Sequence, residues 1–345
     1  MATLRTIRLR IKGTKNIKQI TRAMEAVSAV KMRKSQSVAL AARPYAISAL
    51  SLLHNLKRSV STANVHPFLR TDAEQTRKGE RGTDAEKRMM LVVVTSDKGL
   101  AGPFNTNVLK KAEQFVKNTT TPSPALPQSG GHPSSTEEGK KITLVTVGKK
   151  AGEYFSRRGR KPIVALTGYG DYGELAEVEP LFEAVSEAFV SGKADEVFVI
   201  YTNFLSAMKQ EVVVRKLLPF SEEGLEEMVR GIVPERGRFA IKDTNIPMGT
   251  NETNNTNKSR EYLFEPSPKE ILEAILPALL KVQIYHAILE ANASEHSSRM
   301  VAMRSATDNA GELIKSYTVS LNKARQAAIN KELAEITGGS EALSA

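Results

Sequence analysis

The chain has 345 residues, 41% of them hydrophobic and 25% charged, an ordinary globular balance with length enough for two domains. It contains no cysteine, no tryptophan and five histidines, which excludes a disulfide framework, a thiolate nucleophile and a zinc–thiolate site, and argues against a histidine metal cluster. The net charge of +11 is local: residues 1–60 carry 13 Lys and Arg against the single acid Glu25, and the remaining 285 residues hold 36 basic against 37 acidic side chains. A general nucleic-acid binder would spread its basicity through the fold.

The opening segment, MATLRTIRLRIKG, is basic but lacks the apolar core of a signal peptide, and no run approaches the ~18 apolar residues of a membrane span. The expectation is a chain made and kept in a cytoplasm. Leu4, Ile7, Ile11, Ile17, Ile20, Met24 and Val27 recur at steps of mostly three or four, which predicts one apolar helical face. Gly13 weakens the pattern, and Pro44 should end or kink the helix near Arg43. Residues 61–87 are polar and read as a linker.

A different grammar follows. Met89–Asp97 (MMLVVVTSD) is a buried-type strand, Asn105–Lys117 a helix, Ile142–Val147 a strand, Lys149–Arg157 a short helix, Pro162–Leu166 a third strand and Glu174–Val190 a helix. Glu196–Phe204 and Glu211–Phe220 close the run as two strands so near each other that they should form an edge hairpin. Alternating strands and helices predict a layered α/β domain with a largely parallel sheet. Two low-complexity tracts, 118–140 and 243–259, lack periodicity and read as surface loops.

From Pro268 to Thr337 no turn cluster intervenes. Leu289, Ala293, His296, Met300, Met303, Thr307, Ala310, Ile314, Tyr317, Leu321, Ala324 and Ala328 are spaced alternately four and three apart, a heptad seam over five heptads. Such a helix is ~105 Å long at 1.5 Å per residue and must protrude from any head of this size. The two terminal helices run in opposite senses relative to the middle of the chain, so they should pair antiparallel. The predicted fold is therefore α/β: a long antiparallel two-helix coiled coil plus a central Rossmann-like head. Its expected divisions are a shaft helix 1–60, a linker 61–87, a head 88–242 with the 118–140 insert, a loop 243–267, a second shaft helix 268–337 and a tail 338–345.

The one loop resembling a ligand cradle is Ser96-Asp97-Lys98-Gly99-Leu100-Ala101-Gly102-Pro103. Its glycines fit neither a Walker loop nor a dinucleotide fingerprint. Its Gly99–Gly102 pair matches the GxxG of RNA-binding KH domains in letters, but follows a strand where that motif joins two helices. It reads as a structural turn. His296 reads as a packed seam residue, and the carboxylate pairs Glu270/Glu273 and Glu332/Glu335 as surface groups on a helix with no pocket. Lys31-Met32-Arg33-Lys34 reads as a docking face for an acidic partner, since so unbalanced a charge repels itself unless neutralised.

These segments resemble the gamma subunit of F-type ATP synthases. Ile17–Tyr45 is similar to that family's first shaft helix, Ser96–Asn105 (SDKGLAGPFN) to the loop after the first head strand, and Ala291–Leu313 and Asn322–Thr337 to its C-terminal helix. Asn330 stands where the family usually has Thr, and Ser340 where Ala follows the glycines; the plastid members' cysteine-bearing segment is absent. The resemblance implies a rotor shaft without catalytic residues or cofactor, one copy per complex, inside a hexamer of alpha and beta subunits. It implies a head docked with the epsilon subunit on the c-subunit ring, at the cytoplasmic face of a bacterial membrane, with no nucleic acid and no span of its own. Met24, Arg299, Arg325, Gln326, Asn330 and Glu332 would touch the hexamer by motif position, and Lys31, Arg33 and Lys34 through the basic run. The competing expectation is a basic coiled-coil RNA-binding protein.

Overall fold

The computed structural model describes residues 3–59, 66–69, 88–120, 142–170, 174–220 and 265–344. Helix α1 covers Leu4–Ser59. A 3-10 turn at Pro67–Leu69 precedes the head, in which β1 (Met89–Val94), α2 (Phe104–Thr120), β2 (Ile142–Val147), α3 (Lys149–Ser156) and β3 (Val164–Leu166) follow in order. A 3-10 turn at Leu175–Val178, α4 (Glu179–Val190), β4 (Glu196–Phe204) and β5 (Gln210–Leu218) complete it, and α5 runs from Pro268 to Ser344.

The sheet has the order β3-β2-β1-β4-β5. The first four strands are parallel and β5 is antiparallel to β4, as the edge-hairpin expectation required. The central strand β1 is buried at all six positions, which is why it reads as an unbroken apolar run. Its Leu91 and Val93 face α2 and α3, where Val108, Ala112 and Val116 recur every fourth residue beside Ala151 and Phe155. On the opposite face Met90, Val92 and Val94 meet α4 through Leu181 and Val185.

That second face also receives the shaft. Leu272, Leu276, Leu279, Leu280, Ile284, Ala287, Ile288 and Ala291 of α5 belong to the same core cluster. The first third of α5 is thus a head helix, and the head's core reaches beyond the 88–242 expected for it. An 18-residue window of this helix is apolar enough to cross a membrane, but 56% of it is buried inside the fold. Within the tract expected to be a linker, the described residues 66–69 join the head's core: Phe68 is 2% exposed, stacks edge-on against Phe189 and Phe220 and accepts a hydrogen bond from the Phe220 amide at 2.8 Å. Burial of both Phe68 and Leu69, with the ring contacts and the backbone hydrogen bond, offsets the entropy of ordering the few residues around them.

Helix ends differ from expectation in three places. Backbone helix continues through Pro44 to Ser59; good helix formers such as Ala41, Ala42 and Ala46 flank the single lost hydrogen bond. Likewise α5 continues through Gly338 and Gly339 to Ser344, since glycine weakens a helix without forcing it to stop and no proline follows. In the head, α2 extends to Thr120, into the tract read as an insert from 118. Residues 121–141 and 221–264, which hold most of both low-complexity tracts, lie outside the described residues.

Candidate functional site: the shaft seam and the head–shaft junction

The α5 seam is as its spacing predicts. Leu289, Ala293, His296, Met303, Thr307 and Ala310 are buried, and Met300, Ile314, Tyr317, Leu321, Ala324 and Ala328 are half-buried. Its partner stripe on α1 is the expected one only over Leu4, Ile7 and Ile11. The inward positions are Ile7, Thr14, Thr21, Ser28 and Ser35, seven residues apart, with Leu4, Ile11, Lys18, Glu25 and Met32 between them. Ile17, Ile20 and Val27 point outward at 55%, 59% and 55% exposure, as does Val30 at 64%.

Small hydroxyl residues win the seam because they let two backbones approach closely while satisfying each other's polar groups. Thr21 and Thr307 do so directly, Oγ1 to Oγ1 at 2.7 Å. A Cβ on Gly311 would lie 3.2 Å from Lys18 Nζ, so that glycine gives room for a lysine crossing the seam. These two pairs set an antiparallel register. Past Ala328 every residue to Ser340 is exposed, because α1 has begun by then and α5 continues alone.

Where the shaft meets the head, five α5 side chains reach four separate head segments. Asn292 Nδ2 donates to the Gly170 carbonyl at 3.2 Å. Ser294 Oγ donates to Thr202 O at 3.1 Å, and Ser297 Oγ to Ala207 O at 2.6 Å. Ser298 Oγ donates to Gln210 Oε1 at 2.5 Å. Arg299 donates through Nε and Nη2 to the Gly99 carbonyl at 3.3 and 3.2 Å. The same guanidinium pairs with Glu295 and gives Nη1 to His296 Nδ1 at 3.3 Å, which fixes His296 as the tautomer with Nδ1 unprotonated.

The loop that Arg299 grips is the one singled out in the sequence. Asp97 accepts from the amides of Lys149 and Gly168, both at 2.8 Å, so its carboxylate sits at the N-terminus of α3. A phosphate would need that position, and the loop is accordingly the structural turn expected. Ser96 is held by Asn105 at 3.0 Å, and Leu100 adopts φ +62°. A cleft of about 260 Å³ between Asp97, Gly148, Tyr169 and Asn292 separates the strand ends from the shaft. Below it, Tyr201 is 1% exposed. Burial first, and then the hydrogen-bonded Glu290 carboxylate, push its phenol well above the usual value; it is a neutral donor at physiological pH. His286 lies 3.5 Å from the same carboxylate.

The nine residues singled out beforehand do not form one site. Arg299 is turned inward, its side chain 9% exposed, and serves the head–shaft junction. Met24 and Lys31 are half-buried beside the seam, and Arg33 and Lys34 are exposed on the flank of α1. Arg325, Gln326, Asn330 and Glu332 are exposed at the far end of α5, the last two past the pairing. Glu335 pairs with Lys331 and Glu273 with Lys269, the surface role expected of these acids. Sequence reasoning missed the serines at 294, 297 and 298; their clustering in ASEHSSRM was the available signal, since three serines in five residues are unusual inside a helix.

A long two-helix shaft keyed into a lateral α/β head defines the class of protein. The profile of the family described as ATP synthase matches residues 3–343. An ATP synthase gamma chain of Roseiflexus castenholzii is 37% identical over 99% of both chains, and one of Chloroflexus aurantiacus 36% identical over 99% of both. Among solved structures, a chain of the Euglena gracilis mitochondrial ATP synthase OSCP/F1/c-ring assembly has the same fold, with a TM-score of 0.55 at 17% identity over 99% of this chain and 94% of that one. The chain belongs to the ATP synthase gamma-chain family. That membership sets aside the RNA-binding alternative.

Proposed function

We propose that the chain is the central rotor stalk of a bacterial F-type ATP synthase at the cytoplasmic face of the cell membrane, and itself performs no catalysis. Proton flow through the membrane sector turns the c-subunit ring, on which the head and the epsilon subunit ride. The asymmetric shaft turns inside the alpha–beta hexamer and drives each nucleotide site in turn through binding, closed and open states. The observation that carries this reading is the keyed junction: five shaft side chains gripping four head segments make head and shaft one body, as transmission of torque requires.

The outward stripe Ile17, Ile20, Val27 and the exposed Ile329, Leu333 and Ile336 supply apolar surface for the surrounding subunits, since stripes of this size stay exposed only where a partner covers them. The basic run meets acidic groups of the hexamer, and Met24, Arg325, Gln326, Asn330 and Glu332 flank the same passage. The test is co-expression with alpha and beta subunits, then an ATPase assay with and without this chain. One copy should co-purify with the hexamer and restore multisite hydrolysis. A hexamer that neither retains the chain nor responds to it contradicts the reading.

A further inference from the structure

The head–shaft junction contains one contact unlike the rest. The serine and asparagine ties each join one side chain to one acceptor. Arg299 joins three groups at once: Gly99 O through two nitrogens, His296, and Glu295. Its planar fork is held in place by its own helix and presented to a loop of the head. Two of its three companions sit on α5 one turn away, so the guanidinium is oriented before it meets Gly99. The loop it meets is under backbone strain, with a non-glycine residue, Leu100, at φ +62°. Two residues further on, Gly102 approaches the shaft so closely that an added Cβ would lie 3.8 Å from Ala302 Cβ.

We propose that Arg299 is the torsional latch of the rotor, a positioning residue that makes the β1–α2 loop, and with it the parallel-strand side of the head, follow the rotation of α5. The β4–β5 side is held by Ser294, Ser297 and Ser298. Without the latch the parallel-strand side keeps only Asn292 to Gly170 among these hydrogen bonds, the β1–α2 loop loses its tie to the shaft, and the head yields there under load. The inference rests on the rotor reading above for its consequence, but the latch itself is a property of this chain alone.

The fold provides its own test. A Cβ–Cβ separation of 3.8 Å matches a disulfide, residue 102 lies at the left-handed φ of +54° that single non-glycine residues tolerate, and the chain has no cysteine to interfere. In the full-length chain, Gly102→Cys/Ala302→Cys should close rapidly under a mild oxidant. Adding Arg299→Lys, which keeps a cation for Glu295 but loses the planar fork, should slow closure at least threefold; Arg299→Gln should do the same. Equal closure rates with and without Arg299 overturn the latch, whatever the chain does in the complex.

In the assembled, membrane-bound complex, Arg299→Lys should keep its ATPase rate and lower ATP-driven proton pumping per ATP by half or more. Oxidising the 102–302 pair in that background should restore the ratio, and reduction should abolish the rescue, which a merely destabilising substitution would not show. An unchanged pumping ratio, or a fully formed cross-link that rescues nothing, overturns the proposal. Failure of the unsubstituted chain to assemble counts against the rotor reading, and the closure rates still decide the latch.

Discussion

Thr21 on α1 and Thr307 on α5 share a 2.7 Å hydrogen bond across 286 residues of sequence. Thr21 also approaches the Lys18 carbonyl at 3.1 Å and Thr307 the Met303 carbonyl at 2.8 Å. Two hydroxyl protons serve three contacts, so either threonine can donate across the seam while the other donates to its own helix carbonyl. The bond falls at the middle of the paired shaft and fixes which turn of α1 faces which turn of α5.

Replacing either threonine alone by valine should therefore cost about 1 kcal/mol, because the remaining hydroxyl loses its cross-helix partner in a buried seam. Replacing both should cost no more than one replacement, since the valine pair fills the same volume with no polar group to satisfy. Urea unfolding followed by helical circular dichroism, run as a double-mutant cycle, measures this coupling. Strict additivity of the two single effects would show that the hydroxyls do not act as a pair.

Gly148 is indispensable to the head. It has φ +89°, and a Cβ there would fall 2.1 Å from the Thr95 carbonyl oxygen, a backbone atom of the residue whose amide donates to Val147 O at 2.8 Å. Gly148→Ala should destabilise the chain by at least ~3 kcal/mol, combining a forbidden approach with strain at positive φ. Thermal denaturation checks it; a melting temperature within a degree or two of the parent would refute the packing described. Gly159, with φ +76° but open space around it, should tolerate the same change at a smaller cost.

The outward apolar stripe separates stability from assembly. Ile17, Ile20 and Val27 together→Ser should leave the helical content of the free chain unchanged, because these side chains do not face α5. Each is about half exposed, so covering all three is worth on the order of 3 kcal/mol, about a hundredfold in affinity for the hexamer. Titration of the hexamer with parent and variant reads the difference. An unchanged affinity would mean that no partner covers the stripe.

For the basic run, Lys31/Arg33/Lys34→Ala should fold normally and assemble, yet weaken coupling or alter regulation of hydrolysis. Each charge contact with an acidic partner is worth on the order of 1 kcal/mol where solvent reaches it, too little to prevent assembly. Proton pumping per ATP at low and moderate salt measures the effect. Parent-like values at both salt concentrations would make the run a solvated face.

How far these features were legible depended on what each segment packs against. Strands β2 and β4 lie where their apolar runs place them, because buried parallel strands show little else. The α5 seam was legible because its spacing persists over five heptads. The N-terminal seam was legible only in part: Leu4, Ile7 and Ile11 point inward as their spacing predicts, but from Thr14 onward small hydroxyl residues take the seam, and the rule that isoleucine points inward fails at Ile17 and Ile20. The heptad Ile7, Thr14, Thr21, Ser28, Ser35 was visible but looked polar. Phe68 was hidden because one buried ring in a polar tract makes no period. Arg299 was placed in the right motif, while its acceptor, a backbone carbonyl 200 residues away, leaves no mark on sequence.

The central claim is that head and shaft turn as one rotor inside the hexamer. Its most direct test fixes the alpha–beta hexamer to a surface and attaches a probe to a single thiol on the head, such as Ile163→Cys, which is 70% exposed and unique in a chain without cysteine. With ATP, the account predicts continuous rotation of the probe in one direction, at a rate that follows hydrolysis. A probe that stays fixed or only fluctuates while the attached hexamer hydrolyses ATP would contradict it.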